Sequence, residues 1–342
     1  MPDESESPSP DESHSPEQPT NKTWEERHKE IMESYTDDEE SFQMPVFRVK
    51  AKFFLLPIIV SIIIAGVLAY ITYYPGGIQI TAAPFSEAQY GEGTGALLNG
   101  LFFTLIAGVS SVLIYILVKR RGINSLRIIM TVTFLFLGVV FIIFFGQGIL
   151  FIFNLPDIAS YVLIALGLVL GVLMAYVFYA RRFSIGSKNV VVLFFGILIG
   201  AFMGIIFPTW TTMTILIGIS LWDIISVKRG PIKKIFQLID PEFQDSAAGT
   251  EPAFEPIPKE AFGQAAMEIG IGDIAFYSML ASQSLISTNS IFVWAMTIVG
   301  ILIGAAWTLR LIRKNKILPG LPLSIFIGIA LYWVGVLIIS QI

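Results

Sequence analysis

Cysteine is absent from all 342 residues, which excludes disulfide bonds, thiolate metal sites and a cysteine nucleophile. Histidine is nearly absent as well. His14 and His28 both fall near the N-terminus, so the apolar body of the chain offers no imidazole and makes a poor zinc site. Charge is scarce, at 14% of residues, where a soluble globular domain carries about 25%. What fills the space is apolar. Hydrophobic residues make up 54% of the chain and run in unbroken blocks, each long enough to cross the roughly 30 Å hydrocarbon layer of a bilayer. A large aqueous core would not require such depletion of charge.

The net charge of -4 says little about partners, because the acids gather in an N-terminal tail and one loop. Residues 1–46 are rich in Ser, Pro, Glu and Asp. They cannot bury enough apolar surface to offset the entropy of ordering and are expected to be mostly disordered. Thr23 and Glu26 have capping-box spacing ahead of Ile31 and Met32, which allows one short helix there. A signal peptide is not expected. The first apolar block starts too late, lacks a small-residue cleavage site and is long enough to span.

Nine blocks qualify as spans: Phe53–Tyr73, Ala96–Val118, Ile128–Phe153, Ser160–Ala180, Val190–Phe207, Thr211–Val227, Ala265–Leu285, Ile291–Ile312 and Leu321–Ser340. The chain therefore reads as an all-α integral membrane protein. Residues 47–227 carry helices one to six, 228–264 form the longest loop, and 265–342 carry helices seven to nine. The third block is long enough to tilt or to break near Gly146–Gly148.

Orientation follows from Lys and Arg. Arg48, Lys50 and Lys52 precede the first span; Lys119, Arg120, Arg121 and Arg127 lie between the second and third. Arg181, Arg182 and Lys188 follow the fourth. Lys228, Arg229, Lys233, Lys234 and Lys259 occupy the long loop, and Arg310, Arg313, Lys314 and Lys316 form the last group, at and beyond the end of the eighth. The intervening connections and the C-terminus have none, so every basic residue falls on one side. That predicts a cytoplasmic N-terminus and an external C-terminus, and the sequon Asn21-Lys22-Thr23 should stay unmodified. Gly-x-x-x-Gly spacings at Gly167/Gly171, Gly196/Gly200/Gly204 and Gly300/Gly304 read as sites of close helix packing. No internal repeat or inverted symmetry of the transporter kind is apparent.

Two acids sit clearly inside apolar blocks: Asp223 in span six and Asp273 in span seven. Glu268 lies closer to the interface. A carboxylate at mid-bilayer costs roughly 2.5–3.5 kcal/mol on the lenient insertion scale, which marks it as functional unless it serves as a helix–helix hydrogen bond. Asp223 precedes Lys228 by five residues, about 7–8 Å of helix. Asp273 follows Ala265 by eight, about 12 Å. Both thus lie in the cytoplasmic half of sequential antiparallel helices. Two carboxyl groups in reach of each other share a proton. One can then take a proton from an attacking water while the other donates to a carbonyl oxygen, hydrolysis without metal, cofactor or covalent intermediate.

Gly270 and Gly272 thin the helix wall beside Asp273 and permit local unwinding; the alternative is that they are packing glycines. Leu318-Pro319-Gly320-Leu321-Pro322 opens span nine. Its prolines oppose a regular helix and leave backbone that an extended substrate could pair with. The alternative is a simple helix-start turn, since Pro favours the first turn.

At these residues the chain resembles the presenilin and signal peptide peptidase family of intramembrane aspartyl proteases. Gly270-Ile271-Gly272-Asp273 is similar to the family's seventh-helix GxGD motif. Leu221-Trp222-Asp223 falls where the family has Tyr-Asp, with Trp222 in place of Tyr. Pro319-Gly320-Leu321-Pro322 falls on its Pro-Ala-Leu-Pro motif, with Gly320 in place of Ala. The resemblance runs from about span six to the end. It implies catalytic roles for Asp223 and Asp273, and substrate contacts at Gly270, Gly272, Pro319, Gly320, Leu321, Pro322 and Trp222. It also implies cleavage of transmembrane-helix substrates within the lipid bilayer. The basic-residue pattern selects the presenilin orientation over the inverted one, and the 228–264 loop resembles the segment that presenilins cleave in themselves.

A rival reading keeps the Asp pair for a proton- or cation-coupled transporter or channel. Both readings need paired acids and water; the protease alone needs the glycines and a non-helical segment opposite. No metal, cofactor or nucleic acid is expected. Homo-oligomers and accessory subunits stay open. The compact loops suggest a multi-pass protein of a prokaryotic, archaeal cell membrane.

Overall fold

The computed structural model describes residues 46–121, 123–156, 158–180, 184–229, 266–312 and 319–341. The tail with the short helix expected in it and its sequon, the 228–264 loop beyond Arg229, and the basic cluster Arg313 to Lys316 lie outside the described residues.

A strand, β1 (Val46–Lys50), leads through a 3-10 turn into helix α1 (Leu55–Tyr73). A linker with one helical turn at Glu87–Tyr90 follows. Then come α2 (Glu92–Arg121), α3 (Ile123–Ile152), α4 (Ile158–Tyr179), α5 (Ile185–Ile206) and α6 (Thr209–Arg229). The last third holds β2 (Ala266–Gly270), α7 (Ile271–Thr288), α8 (Ile291–Ile312) and α9 (Leu321–Ile339). Among the described residues, eight helices, α1 to α6 with α8 and α9, are long and apolar enough to cross a membrane. They account for eight of the nine expected spans.

The expected seventh block differs in two ways. Its first residues, 266–270, are extended and pair antiparallel with β1, Val46 opposite Gly270 and Lys50 opposite Ala266. Gly270 and Gly272 are poor helix formers, and the strand arriving from residues 46–50 supplies the backbone partners that a helix would otherwise provide. Helix α7 also holds no 18-residue stretch apolar enough to count among the candidate spans, because its burial is in protein. Residues 277 to 286 are all buried, and Ser278, Ser282, Gln283 and Ser284 are among them. A helix surrounded by other helices does not need a lipid-compatible surface.

Glycine sets the distances in this core. Cβ atoms on Gly196, Gly200 and Gly204 of α5 would collide with Ile274, Ser278 and Ser282 of α7. On α8, Gly300 meets Gly328 and Gly304 meets Ser324, both of α9. On α4, Gly167 and Gly171 face Ile142 and Val139 of α3. All three Gly-x-x-x-Gly rows are thus packing surfaces. Of the two options for the long third span, tilt or break, the break does not occur: α3 continues through Gly146 and Gly148 to Ile152. Gly146 receives the Leu163 side chain and Gly148 the Thr72 methyl, so both serve packing.

Candidate active site

The change from β2 to α7 positions Asp273. Gly270 is the extended N-cap (φ −64°, ψ 144°), and Asp273 stands in the first turn of the helix. Its neighbours Ile274 and Ala275 are buried at 0% and 3% exposure, which fixes the direction of this turn. The carboxyl group folds back over the strand end: a Cβ on Gly270 would lie 3.5 Å from Asp273 Oδ2. Asp273 is therefore not eight helical residues deep, as the sequence suggests. It follows an extended entry.

Asp223 projects from α6, half-buried. Its Oδ2 accepts a hydrogen bond from the backbone N–H of Leu321 at 3.4 Å. Gly320, the preceding residue, touches the other acid: a Cβ there would sit 3.3 Å from Asp273 Oδ2. One turn of backbone at the start of α9 therefore adjoins both carboxyl groups. The turn itself is a helix start. Gly320 has right-handed helical dihedrals (φ −73°, ψ −37°), and Pro322 occupies the first turn, where its missing N–H costs nothing. From Gly320 to Pro322 the segment therefore takes the helix-start form and not the extended one.

Of the expected substrate-contact residues, Gly270, Gly320 and Leu321 adjoin the acids. Pro319 is half-buried, and Leu321 and Pro322 are buried. Gly272 is exposed, and among the described residues a Cβ on it would meet only Phe276, at 3.8 Å. Trp222 points elsewhere. Its ring lies against α2, where a Cβ on Gly108 would fall 3.3 Å from it.

One residue at the site escapes a search for charged groups. Tyr277 is buried at 3% exposure, and its hydroxyl donates to the Gly320 carbonyl at 3.1 Å. It thereby ties α7 to the turn that adjoins both acids. The spacing of Asp273 and Tyr277, four residues on one helix face, is the signal that could have found it.

The presenilin family model matches residues 240–342. The chain is similar to the presenilins. Presenilin-B of Dictyostelium discoideum is 31% identical over 137 residues, covering 37% of this chain and 26% of that protein. Presenilin sel-12 of Caenorhabditis elegans is 31% identical over 126 residues, 31% of this chain and 28% of that protein. The chain thus spans about a quarter of the length of these relatives. Two solved structures of a presenilin family intramembrane aspartate protease, in space groups C222 and P2, share its fold with TM-scores of 0.56 and 0.55 at 17% identity. They cover 83% of this chain, and 99% and 98% of their own. The segment matched by the family model holds Asp273 and Pro319 to Pro322; Asp223 precedes it. The shared fold carries the likeness through the earlier helices.

Proposed function

We propose that this protein is an intramembrane aspartyl protease that hydrolyses peptide bonds within transmembrane helices of other membrane proteins. The observation that carries this reading is the convergence at α9: the Leu321 N–H donates to Asp223 Oδ2 at 3.4 Å while Gly320 abuts Asp273 Oδ2. Two acids on one turn of backbone form a unit that holds a single proton between them. A water between the carboxyl groups attacks the scissile carbonyl carbon. The ionised carboxyl takes the water proton, and the protonated one donates to the carbonyl oxygen. The tetrahedral adduct then collapses: the C–N bond breaks, and the nitrogen leaves with a proton returned from the pair. The exposed Gly272 gives water and an unwound substrate a route to Asp273.

The same reading takes α7 as a ninth span, shielded from lipid by its neighbours, with the N-terminus cytoplasmic and the substrate helix entering with its own N-terminus outside. Gly270, Gly272, Pro319, Gly320, Leu321 and Pro322 would line the cleft. Trp222, against α2, would act on it only through the position of α6.

The test is cleavage of a single-span peptide by the purified protein in micelles. Wild type should cleave; Asp223→Ala and Asp273→Ala should each lose at least about a thousandfold in kcat, since neither acid works alone. Equal cleavage by all three proteins would attribute the activity to a contaminant and remove this reading. Asp-dependent ion flux without cleavage would put a transporter in its place.

A further inference from the structure

The small sheet beside Asp273 is built from a segment that lies before the first helix. Along β1 the side chains alternate. Phe47 and Val49 pack into the core with Ile269, itself 2% exposed, while Arg48 and Glu268 form a 2.8 Å ion pair on the other face. A two-stranded ribbon on its own is marginal. This one is held from outside by Asn189, in the first turns of α5. The Arg48 N–H donates to Asn189 Oδ1 at 2.8 Å, and Asn189 Nδ2 donates to the Arg48 carbonyl at 2.7 Å.

Those two bonds determine the edges of the sheet. In an antiparallel ladder, residues that exchange both hydrogen bonds alternate with residues whose backbone groups point away from the partner strand. Arg48 gives both its groups to Asn189, so the Arg48–Glu268 pair is of the second kind. By the same alternation Glu268 and Gly270 direct their backbone groups to the far edge of β2, and the Asp273 carboxyl lies over Gly270 at that edge. The outer edge of β1 is closed by the Asn189 amide.

Resting on the protease reading above, we infer that Asn189 is a positioning residue for Asp273. By clamping Arg48 it fixes the register of β1 on β2 and so holds the strand end against which the catalytic carboxyl is seated. The strand β1 is a permanent part of the active site and not an occupant that substrate displaces. Its apolar face is in the core, and it continues directly into the buried Ala51 at 4% exposure. Removing it would expose Phe47 and Val49 and leave Ile269 uncovered.

The protein allows a clean test because its 342 residues include no cysteine. Facing residues of a non-exchanging pair have Cα atoms about 4.5 Å apart, within disulfide range. Asn189→Leu should lower kcat for a single-span peptide at least about tenfold with KM nearly unchanged, the pattern of a misplaced catalytic group. It should also speed amide exchange across residues 266–270. Adding Arg48→Cys and Glu268→Cys to Asn189→Leu should restore kcat when oxidised and lose it again on reduction. Unaltered kcat and exchange in Asn189→Leu would overturn the inference. So would a Cys pair on the Asn189 background that is inactive oxidised and active reduced, since β1 would then have to leave. If wild type cleaves no better than Asp273→Ala, the protease reading fails by itself, and the exchange rates still decide whether Asn189 orders β2.

Discussion

Helices α4 and α5 are equally apolar, yet of an 18-residue apolar stretch in each, 17% of one and 61% of the other is buried inside the protein. Hydropathy cannot separate them, because a lipid tail and a leucine side chain are equivalent solvents for an apolar surface. Their glycines do separate them. On α5 the row Gly196, Gly200, Gly204 presses on α7, the helix whose first turn carries Asp273, against both side chains and backbone. On α4, Gly171 makes one close backbone approach to α3 and Gly167 only ordinary contacts. The lesson is that tolerance to a single methyl group should fall with proximity to the carboxyl pair.

The same Gly→Ala change at three positions tests this. The largest effect is expected at Gly200. An added Cβ would lie 2.6 Å from the Ala275 carbonyl and 2.9 Å from the Met279 N–H, and would also collide with the Ser278 side chain. Backbone cannot turn aside as a side chain does, so α5 and α7 must separate. Overpacking of this kind costs about 1–3 kcal/mol, more than the ~1 kcal/mol gained from helix propensity. Thermal unfolding of the purified protein should show the loss. Because α7 carries Asp273, kcat per folded molecule should fall too. Wild-type activity in Gly200→Ala would break the comparison.

At Gly171 the added atom would meet the Leu135 carbonyl and the Val139 side chain, each at 3.0 Å. The Val139 methyl can shift by a few tenths of an ångström; the carbonyl cannot. A net destabilisation of about 0.5–1 kcal/mol is expected, overpacking offset in part by propensity. Activity per folded molecule should be unchanged, since neither α3 nor α4 contributes to the site. A drop in kcat there would mean that the α3–α4 pair is mechanically coupled to the carboxyl groups.

Much of this was legible beforehand. Long apolar blocks identify α1 to α6, α8 and α9 because hydrocarbon imposes its own length on a helix. The intramembrane acids mark themselves by their cost, and Pro322 marks the start of α9. What was not legible comes from contacts distant in sequence. Residues 266–270 look like the beginning of a helix until Val46–Lys50 arrives beside them. Asn189 is an ordinary polar residue at a helix start until its amide meets Arg48, 141 positions away. Trp222 neighbours Asp223 in sequence, but successive residues on a helix point about 100° apart, and its ring goes to Gly108. Tyr277 carries no formal charge, so a search for charges passes over it.

The smallest effect is expected at Gly167. A Cβ there would lie 3.5 Å from the Ile142 methyl and 3.6 Å from the Val139 carbonyl, ordinary van der Waals separations. Nothing must move, so only the gain in helix propensity remains, and Gly167→Ala should be neutral or stabilising by up to about 1 kcal/mol. Its unfolding midpoint should equal or exceed that of wild type, with identical cleavage kinetics. A lowered midpoint would show that α3 and α4 pack more closely than 3.5 Å allows. The contrast between the lipid-side pair and the α5–α7 contact would then be one of burial alone and not of packing.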